Sequence, residues 1–187
     1  FRVFCAFSEP FAGNAMAASQ TTGAKTLNDN LLPTITSVSL AANNSTIAVT
    51  FSESVYNTNG GSGALEASDF AFSISGGVAT LSSATPSSIS PNSNVYTLDI
   101  DLSGTPNGAE VLTVNPVDDS IYDAAGNEAS TSQSNNTVEL NEKIVPIITS
   151  VALASDNATI AVTFSEAVDN SNSGTGRGLG ASTRNPH

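Results

Sequence analysis

The chain repeats itself, and this repeat constrains its fold more than any other feature of the sequence. The segment 33–55 recurs as the segment 146–168, at a constant offset of 113 positions, and the two segments are identical except at Thr34, Ser39, Ala42, Asn43, Ser45 and Ser54. The same offset aligns shorter stretches upstream, such as the Ala-Gly-Asn tripeptides at 12–14 and 125–127. A fixed offset of this kind is the signature of structural units arranged in tandem.

The offset divides the 187 residues into three parts. Residues 1–32 are predicted to be the C-terminal tail of one unit, residues 33–145 a complete unit, and residues 146–187 the start of the next. The repeat pattern is lost at both ends, in residues 1–10 and 177–187. Because these ends contain the only Cys and the only His, we assign no function to either residue.

Within residues 33–145, short segments alternate apolar and polar residues between clusters of Gly, Asn, Ser and Pro. Alternation with a period of two predicts half-buried β-strands. The apolar positions mark seven strands: Val38 and Leu40; Ile47, Val49 and Phe51; Phe70, Phe72 and Ile74; Val78 to Leu81; Tyr96, Leu98, Ile100 and Leu102; Leu112 and Val114; Val138 and Leu140. Seven short strands in a unit of this length predict an all-β fold, a seven-stranded immunoglobulin-like β-sandwich.

Residues 146–168 supply only two strands of the next unit. A lone hairpin cannot bury its apolar face. We therefore expect Ile160, Val162 and Phe164 to be exposed or docked against a neighbour.

Charge and composition exclude several classes of function. Seventeen acidic and five basic residues give a net charge of -12, which argues against binding to nucleic acid or to an anionic membrane surface. No apolar run approaches the roughly 20 residues that a membrane span requires. The complete unit has no His and no Cys. This excludes nucleophilic catalysis by a Ser or Cys with a His base, and it excludes a zinc site built from His and Cys. We predict that the unit is not an enzyme.

Two short motifs carry a resemblance to a known family. Val49-Thr50-Phe51-Ser52-Glu53 near the start of the unit and Tyr122-Asp123-Ala124-Ala125-Gly126-Asn127 before its last strand resemble the bacterial immunoglobulin-like repeats of surface-layer and adhesin-type proteins. That group contains the SbsA-like and SwmB-like modules. The resemblance covers the complete unit and both partial ones. It implies tandem arrays on the extracellular, cell-surface side of bacteria that serve as stalks or spacers, and it implies no shared catalytic residues.

Calcium is the one cofactor that the composition favours, because calcium binds carboxylate and carbonyl oxygens and the unit has 12 acids to one base. One candidate site is an EF-hand-like loop. Asp99, Asp101 and Ser103 take its positions one, three and five, with Gly104 at position six and Glu110 at position twelve. Its flanks are predicted to be strands, so the alternative is a solvated strand face.

The second candidate calcium site is assembled by the topology of a sandwich, in which the end of the second strand, the loop before the last strand and the entering linker meet at one pole. Its candidate ligands are Glu53, Asp118, Asp119, Asp123, Asn127 and Asp29. The alternative is that Asp123 and Asn127 only form side-chain hydrogen bonds in a turn where Gly126 supplies a positive φ.

Two functions from different classes remain as hypotheses. The first is a structural or adhesive repeat of a large exported protein, whose partners are neighbouring repeats and a cell-surface or extracellular polysaccharide. The second is an accessory carbohydrate-binding or spacer module of a secreted polysaccharide-active enzyme. A row of exposed aromatic side chains on one sheet would favour the second.

Overall fold

The computed structural model describes residues 28–169, which form an all-β structure. Its one helical element in this range is a single turn of 3-10 helix at Ala67–Asp69. Within the described range, we find no helix with the length and hydropathy that crossing a membrane demands.

Eleven strands are present among the described residues. They are β1 (Ile35–Leu40), β2 (Thr46–Phe51), β3 (Phe70–Ser75), β4 (Thr80–Leu81), β5 (Ile89–Asn92), β6 (Val95–Asp99), β7 (Leu102–Ser103), β8 (Val111–Pro116), β9 (Thr137–Glu139), β10 (Ile148–Leu153) and β11 (Ile160–Phe164).

Strands β1 to β9 form three antiparallel sheets. One has the order β1-β2-β6-β5, a second has the order β3-β8-β9, and a third is the short pair β4-β7. Apolar side chains from the first two sheets fill one continuous core. At its centre the ring centroid of Phe51 lies 6.2 Å from that of Phe70 and 5.9 Å from that of Tyr96, so the rings join the two sheets.

Most core residues lie at positions that the alternating pattern predicts, but Ile35, Val55, Leu65, Ile121 and Ala129 are buried in the core without having been predicted. Ile47, Val49 and Phe51 on β2 are buried, and the residues between them are half-buried. The same alternation buries Leu112 and Val114 on β8. Successive side chains of a strand point to opposite faces, which explains why the sequence pattern identifies the inner face correctly.

The unit has nine strands where the sequence predicts seven. The sequence does not predict β5 because Ile89-Ser-Pro-Asn92 shows no alternation of apolar and polar residues. This strand lies at the edge of its sheet, where Pro91 is tolerated because one side of an edge strand needs no hydrogen-bond donor. The predicted strand from Tyr96 to Leu102 is two strands, since β6 pairs with β2 and β5 whereas β7 pairs with β4.

The predicted strand from Val78 to Leu81 is wrong in its first half. Only Thr80 and Leu81 pair in a sheet, and Val78 is 63% exposed. The backbone N–H groups of Val78 and Ala79 both donate to the carboxylate of Glu110 and not to a neighbouring strand.

Residues 146–168 form a hairpin, β10-β11, that reproduces the first hairpin, β1-β2. Ile148 pairs with Phe164 as Ile35 pairs with Phe51, and a register shift follows at the same place in both. The apolar residues Ile160 and Val162 are 63% and 45% exposed, and Phe164 is half-buried. This agrees with the expectation that a hairpin alone cannot cover its apolar face.

Candidate functional site

Three carboxylates from distant parts of the sequence meet at one end of the unit. Asp29 precedes β1, Glu53 follows β2 by two residues, and Asp123 lies in the long connection between β8 and β9. One oxygen atom from each carboxylate lies within 4.8 Å of the others. Asp29 is exposed, Glu53 is half-buried and Asp123 is buried, so the group is open to solvent on one side.

Asp123 is held in place by its own turn. Its two carboxylate oxygens accept hydrogen bonds of 2.7 Å from the backbone N–H and the side-chain Nδ2 of Asn127. Burial disfavours the charged form of Asp123, but these bonds, with others from the N–H groups of Ala125 and Gly126, outweigh it and lower its pKa. Gly126 has a φ of 91°, which closes the turn. The turn that the sequence offered as an alternative to calcium is therefore present, and it orients Asp123 toward the other two acids.

Asn127 also connects this turn to the segment that enters the unit. Its Nδ2 donates to the backbone carbonyl of Asp29 at 3.2 Å. The side chain of Asp29 in turn accepts from the N–H of Leu31 at 3.0 Å. The position of the first carboxylate is therefore coupled to the turn that holds the third.

Glu53 experiences the charges of its two neighbours. Burial raises its pKa, and the negative charges of Asp123 and Asp29 raise it further. Between residues 28 and 169 the only basic residue is Lys143, whose backbone N–H donates to the carbonyl of Pro106. The three acids thus repel one another, and a cation placed among them would remove that repulsion.

The same acidic pairing occurs one repeat later. Glu142 and Glu166 occupy the positions in the next repeat that correspond to Asp29 and Glu53. A hydrogen bond with Glu142, followed by burial and the charge of Glu142, raises the pKa of Glu166. The crowding of acids at the entrance of a unit is therefore a repeated feature.

The sequence predicts Asp118 and Asp119 as further ligands of this site, but neither belongs to the group formed by Asp29, Glu53 and Asp123. Both are exposed. The N–H of Asp119 donates to Glu128 at 2.7 Å, and the hydroxyl of Tyr122 donates to the Asp119 carboxylate at 3.5 Å. Burial and the charges of the nearby acids raise the pKa of Tyr122.

The residues of the EF-hand-like loop are not brought together in a comparable group within the described range. Asp99 accepts a hydrogen bond of 2.6 Å from the hydroxyl of Ser88. Asp101 and Ser103 are exposed, whereas Glu110 is completely buried.

Glu110 uses its carboxylate to hold two loops. Its oxygens accept hydrogen bonds from the backbone N–H groups of Val78, Ala79, Asn107 and Gly108 at 2.8 to 3.2 Å. Burial disfavours its charged form, but these backbone bonds prevail and lower its pKa to about 2. A Cβ on Gly77 would lie 2.1 Å from the Glu110 carboxylate carbon, so the approach requires glycine there. The glycine pair at 76–77 is the sequence signal for this role, since it marks a close approach of the backbone to another group.

A second contact that the sequence did not reveal is made by two asparagines. Asn44, in the turn between β1 and β2, is 2% exposed and has a φ of 62°. Its side chain bonds the backbone of Asn141, just after β9. Asn at a positive φ in a tight turn is common, so the sequence alone gave no reason to single out this residue.

The aromatic side chains of the described range do not form an exposed row. Phe51, Phe70, Phe72 and Tyr96 are buried in the core. The remaining three, Tyr56, Tyr122 and Phe164, are half-buried, and the first two pair with each other across an isolated bridge.

No protein-family model matches this chain, and neither a curated protein nor a solved structure matches it.

Proposed function

We propose that the chain is a piece of a tandem array of immunoglobulin-like repeats that serves as a non-catalytic stalk or spacer in a large exported bacterial surface protein. The observation that carries this proposal is the repetition of one hairpin, first in 33–55 and again in 146–168, down to individual hydrogen bonds. The N–H of Ser52 donates to the Thr34 carbonyl at 2.8 Å, and the N–H of Ser165 donates to the Ile147 carbonyl at 2.8 Å. This repetition of backbone geometry supports a protein built from units in tandem.

The strand order supports the immunoglobulin-like assignment of the unit. Sheets with the orders β1-β2-β6-β5 and β3-β8-β9 correspond to the ABED and CFG sheets of a constant-type immunoglobulin domain. The pair β4-β7 would then be an addition to the seven strands of that fold.

Contacts at both ends of the unit support a spacer role. The entering segment is bonded to the body through Asn127 and Asp29, and the leaving segment through Asn44 and Asn141. Because these bonds hold the chain at both junctions, successive units would keep a defined orientation. The acidic composition, with 12 acids and one base in residues 33–145, favours solubility of a long array outside the cell.

We further propose that calcium stiffens the entrance of each unit at Asp29, Glu53 and Asp123. Calcium lies 2.3–2.6 Å from its oxygen ligands, so oxygens on opposite sides of one ion are about 5 Å apart. The separation of the three carboxylates, within 4.8 Å, suits this requirement. The ion would also cancel the repulsion that raises the pKa of Glu53.

The alternative function, an accessory carbohydrate-binding module, has less support. Sugar-binding faces present aromatic rings to solvent, and the aromatic rings of the described residues are buried or half-buried. We therefore retain polysaccharide only as a target that adhesive repeats of the same array would bind.

The stalk proposal is tested by the shape of arrays with increasing numbers of units. Two, four and six copies of residues 33–145 in tandem should give a maximum dimension, measured by small-angle X-ray scattering, that grows linearly with the number of units. A flexible chain of units would grow about as the square root of that number. Growth of the second kind would overturn the stalk proposal.

A further inference from the structure

Two Asn-Gly dipeptides occur in the chain, Asn59-Gly60 and Asn107-Gly108. In this dipeptide the asparagine side chain loses its amide group readily, because glycine has no Cβ to hinder the attack of its own backbone nitrogen on that side chain. The attack requires a glycine N–H that is not hydrogen-bonded and an asparagine side chain that can turn toward it. The structure places the two dipeptides in opposite situations with respect to both requirements.

Asn59-Gly60 lies at the exposed tip of a tight loop. The base of this loop is closed by the N–H of Thr58, which donates to the Ser62 carbonyl at 3.2 Å. Within residues 28–169, no hydrogen bond involves the Asn59 side chain or the Gly60 N–H. Gly60 has a φ of 110°, and a Cβ placed on it would meet no atom within 4 Å. The attacking nitrogen and the side chain that it would attack are therefore both free.

Asn107-Gly108 is held by hydrogen bonds at both reacting groups. The N–H of Gly108 donates to the Glu110 carboxylate at 3.0 Å, and the side-chain oxygen of Asn107 accepts from the N–H of Ala109 at 3.1 Å. Both residues of the dipeptide are half-buried. A hydrogen bond to a charged carboxylate is stronger than one between neutral groups, so the Gly108 nitrogen is released only when this loop opens.

We propose that Asn59 is a site of spontaneous deamidation and that the fold protects Asn107 from the same reaction. The Gly60 nitrogen loses its proton and forms a bond to Cγ of Asn59, and the side-chain nitrogen leaves as ammonia, which gives a cyclic imide. Water then opens the imide. Cleavage of the new bond leaves aspartate, whereas cleavage of the original peptide bond leaves isoaspartate, in which the chain continues through the side-chain carbon. The net reaction consumes water and releases ammonia, and no oxidant or reductant takes part.

The new carboxylate would lie against the turn that holds Asp123. A Cβ on Gly126, inside that turn, would overlap Oδ1 of Asn59, so the Asn59 side chain packs directly on the turn. Deamidation therefore adds a negative charge to the end of the unit where Asp29, Glu53 and Asp123 meet. This inference rests on the two Asn-Gly loops and does not depend on the proposed stalk function.

Peptide mapping of the full chain tests this inference. The folded protein is incubated at mildly alkaline pH, which speeds proton loss from the glycine nitrogen, and samples are then digested at acidic pH by a protease that cleaves after Glu. This cleavage places Asn59 in peptide 54–66 and Asn107 in peptide 67–110. Mass spectrometry with fragmentation measures the conversion of each amide to an acid, and an isoaspartyl methyltransferase labels the isoaspartate. Conversion at Asn59 should be at least about tenfold faster than at Asn107, because the second site must first break its hydrogen bond to Glu110.

The matched control is the same measurement in guanidinium chloride, since unfolding removes the hydrogen bonds of both loops. The two sites should then react at similar rates. Faster conversion at Asn59 in the folded chain, with the difference lost in denaturant, supports the inference. Similar rates in the folded chain, faster conversion at Asn107, or no conversion at Asn59 overturns it. A preference for Asn59 that persists in denaturant also overturns it, because the fold would then not be what protects Asn107.

Discussion

The side chain of Asn44 and the backbone of Asn141, far apart in the sequence, form a reciprocal pair of hydrogen bonds. Asn44 Nδ2 donates to the Asn141 carbonyl at 2.7 Å, and the Asn141 N–H donates to Asn44 Oδ1 at 2.9 Å. These two hydrogen bonds connect the turn after β1 to Asn141, which lies two residues after the end of β9. They therefore join the start and the end of the unit at the point where the next segment leaves.

Replacing Asn44 by Ala should destabilise the unit by about 2 kcal/mol, because two part-buried hydrogen bonds between its side chain and the backbone of Asn141 are lost at about 1 kcal/mol each. Denaturant unfolding of the full chain measures this change. The matched control is Asn157→Ala, since Asn157 has a similar φ of 54° but is exposed. Equal losses for the two variants would show that the contact with Asn141 contributes little.

Replacing Glu110 by Gln should destabilise the unit by about 2–4 kcal/mol at neutral pH. An amide has one acceptor oxygen in place of two, so the N–H groups of Asn107 and Gly108 would face an NH₂ group. Glu110→Asp is a useful second variant, because it keeps the charge but shortens the side chain. Full stability of Glu110→Gln in denaturant unfolding would contradict the assigned role.

The Glu110 carboxylate should also make stability depend on pH. Its pKa of about 2 in the folded protein lies below its ordinary value of 4.5. The stabilisation is therefore complete above about pH 4.5 and is lost as the pH falls toward 2. Unfolding free energy measured from pH 6 to pH 2 should fall less steeply for Glu110→Gln than for the wild type. Parallel profiles would mean that other acids account for the loss.

Removing either core phenylalanine should cost about 3–5 kcal/mol. Phe51 and Phe72 are 2% and 4% exposed, so Phe51→Ala and Phe72→Ala would each leave a cavity between the two sheets. Phe164→Ala is the matched control, because Phe164 sits in the equivalent of the Phe51 position but is only half-buried. A loss below about 1 kcal/mol for Phe51→Ala in denaturant unfolding would mean that the core relaxes around the gap.

Calcium should raise the melting temperature of the full chain by a few degrees. Extracellular sites bind calcium at about 10⁻⁴–10⁻³ M, so about 5 mM calcium should suffice, and binding to the folded state alone raises its stability. Glu53→Gln should reduce this gain, whereas Asp99→Ala and Asp101→Ala should leave it unchanged. In chelator at pH 7, Glu53→Gln should have a higher melting temperature than the wild type. The substitution removes a negative charge that burial and the charges of Asp123 and Asp29 disfavour, as the raised pKa of Glu53 indicates.

The calcium measurement separates the three explanations of the acidic residues. Equal melting in calcium, magnesium and chelator at matched ionic strength would mean that Asp29, Glu53 and Asp123 form only a solvated, hydrogen-bonded group. Loss of the calcium gain in Asp99→Ala or Asp101→Ala would locate the ion in the loop after β6.

The sequence by itself determined the features that depend on local periodicity. Alternation identified Ile47, Val49 and Phe51 as one buried face, because neighbouring side chains of a strand point to opposite sides. The repeat determined that 146–168 would copy the first hairpin, since the same residues in the same order form the same register.

Only the tertiary structure decided which distant groups meet. Asp29, Glu53 and Asp123 were candidates along with Asp118 and Asp119, and packing of the loops brought the first three together and left the other two beside Tyr122. Strand β4 begins at Thr80 and not at Val78 because the distant carboxylate of Glu110 takes the N–H group of Val78. Such bonds join residues far apart in the sequence, and no local pattern records them.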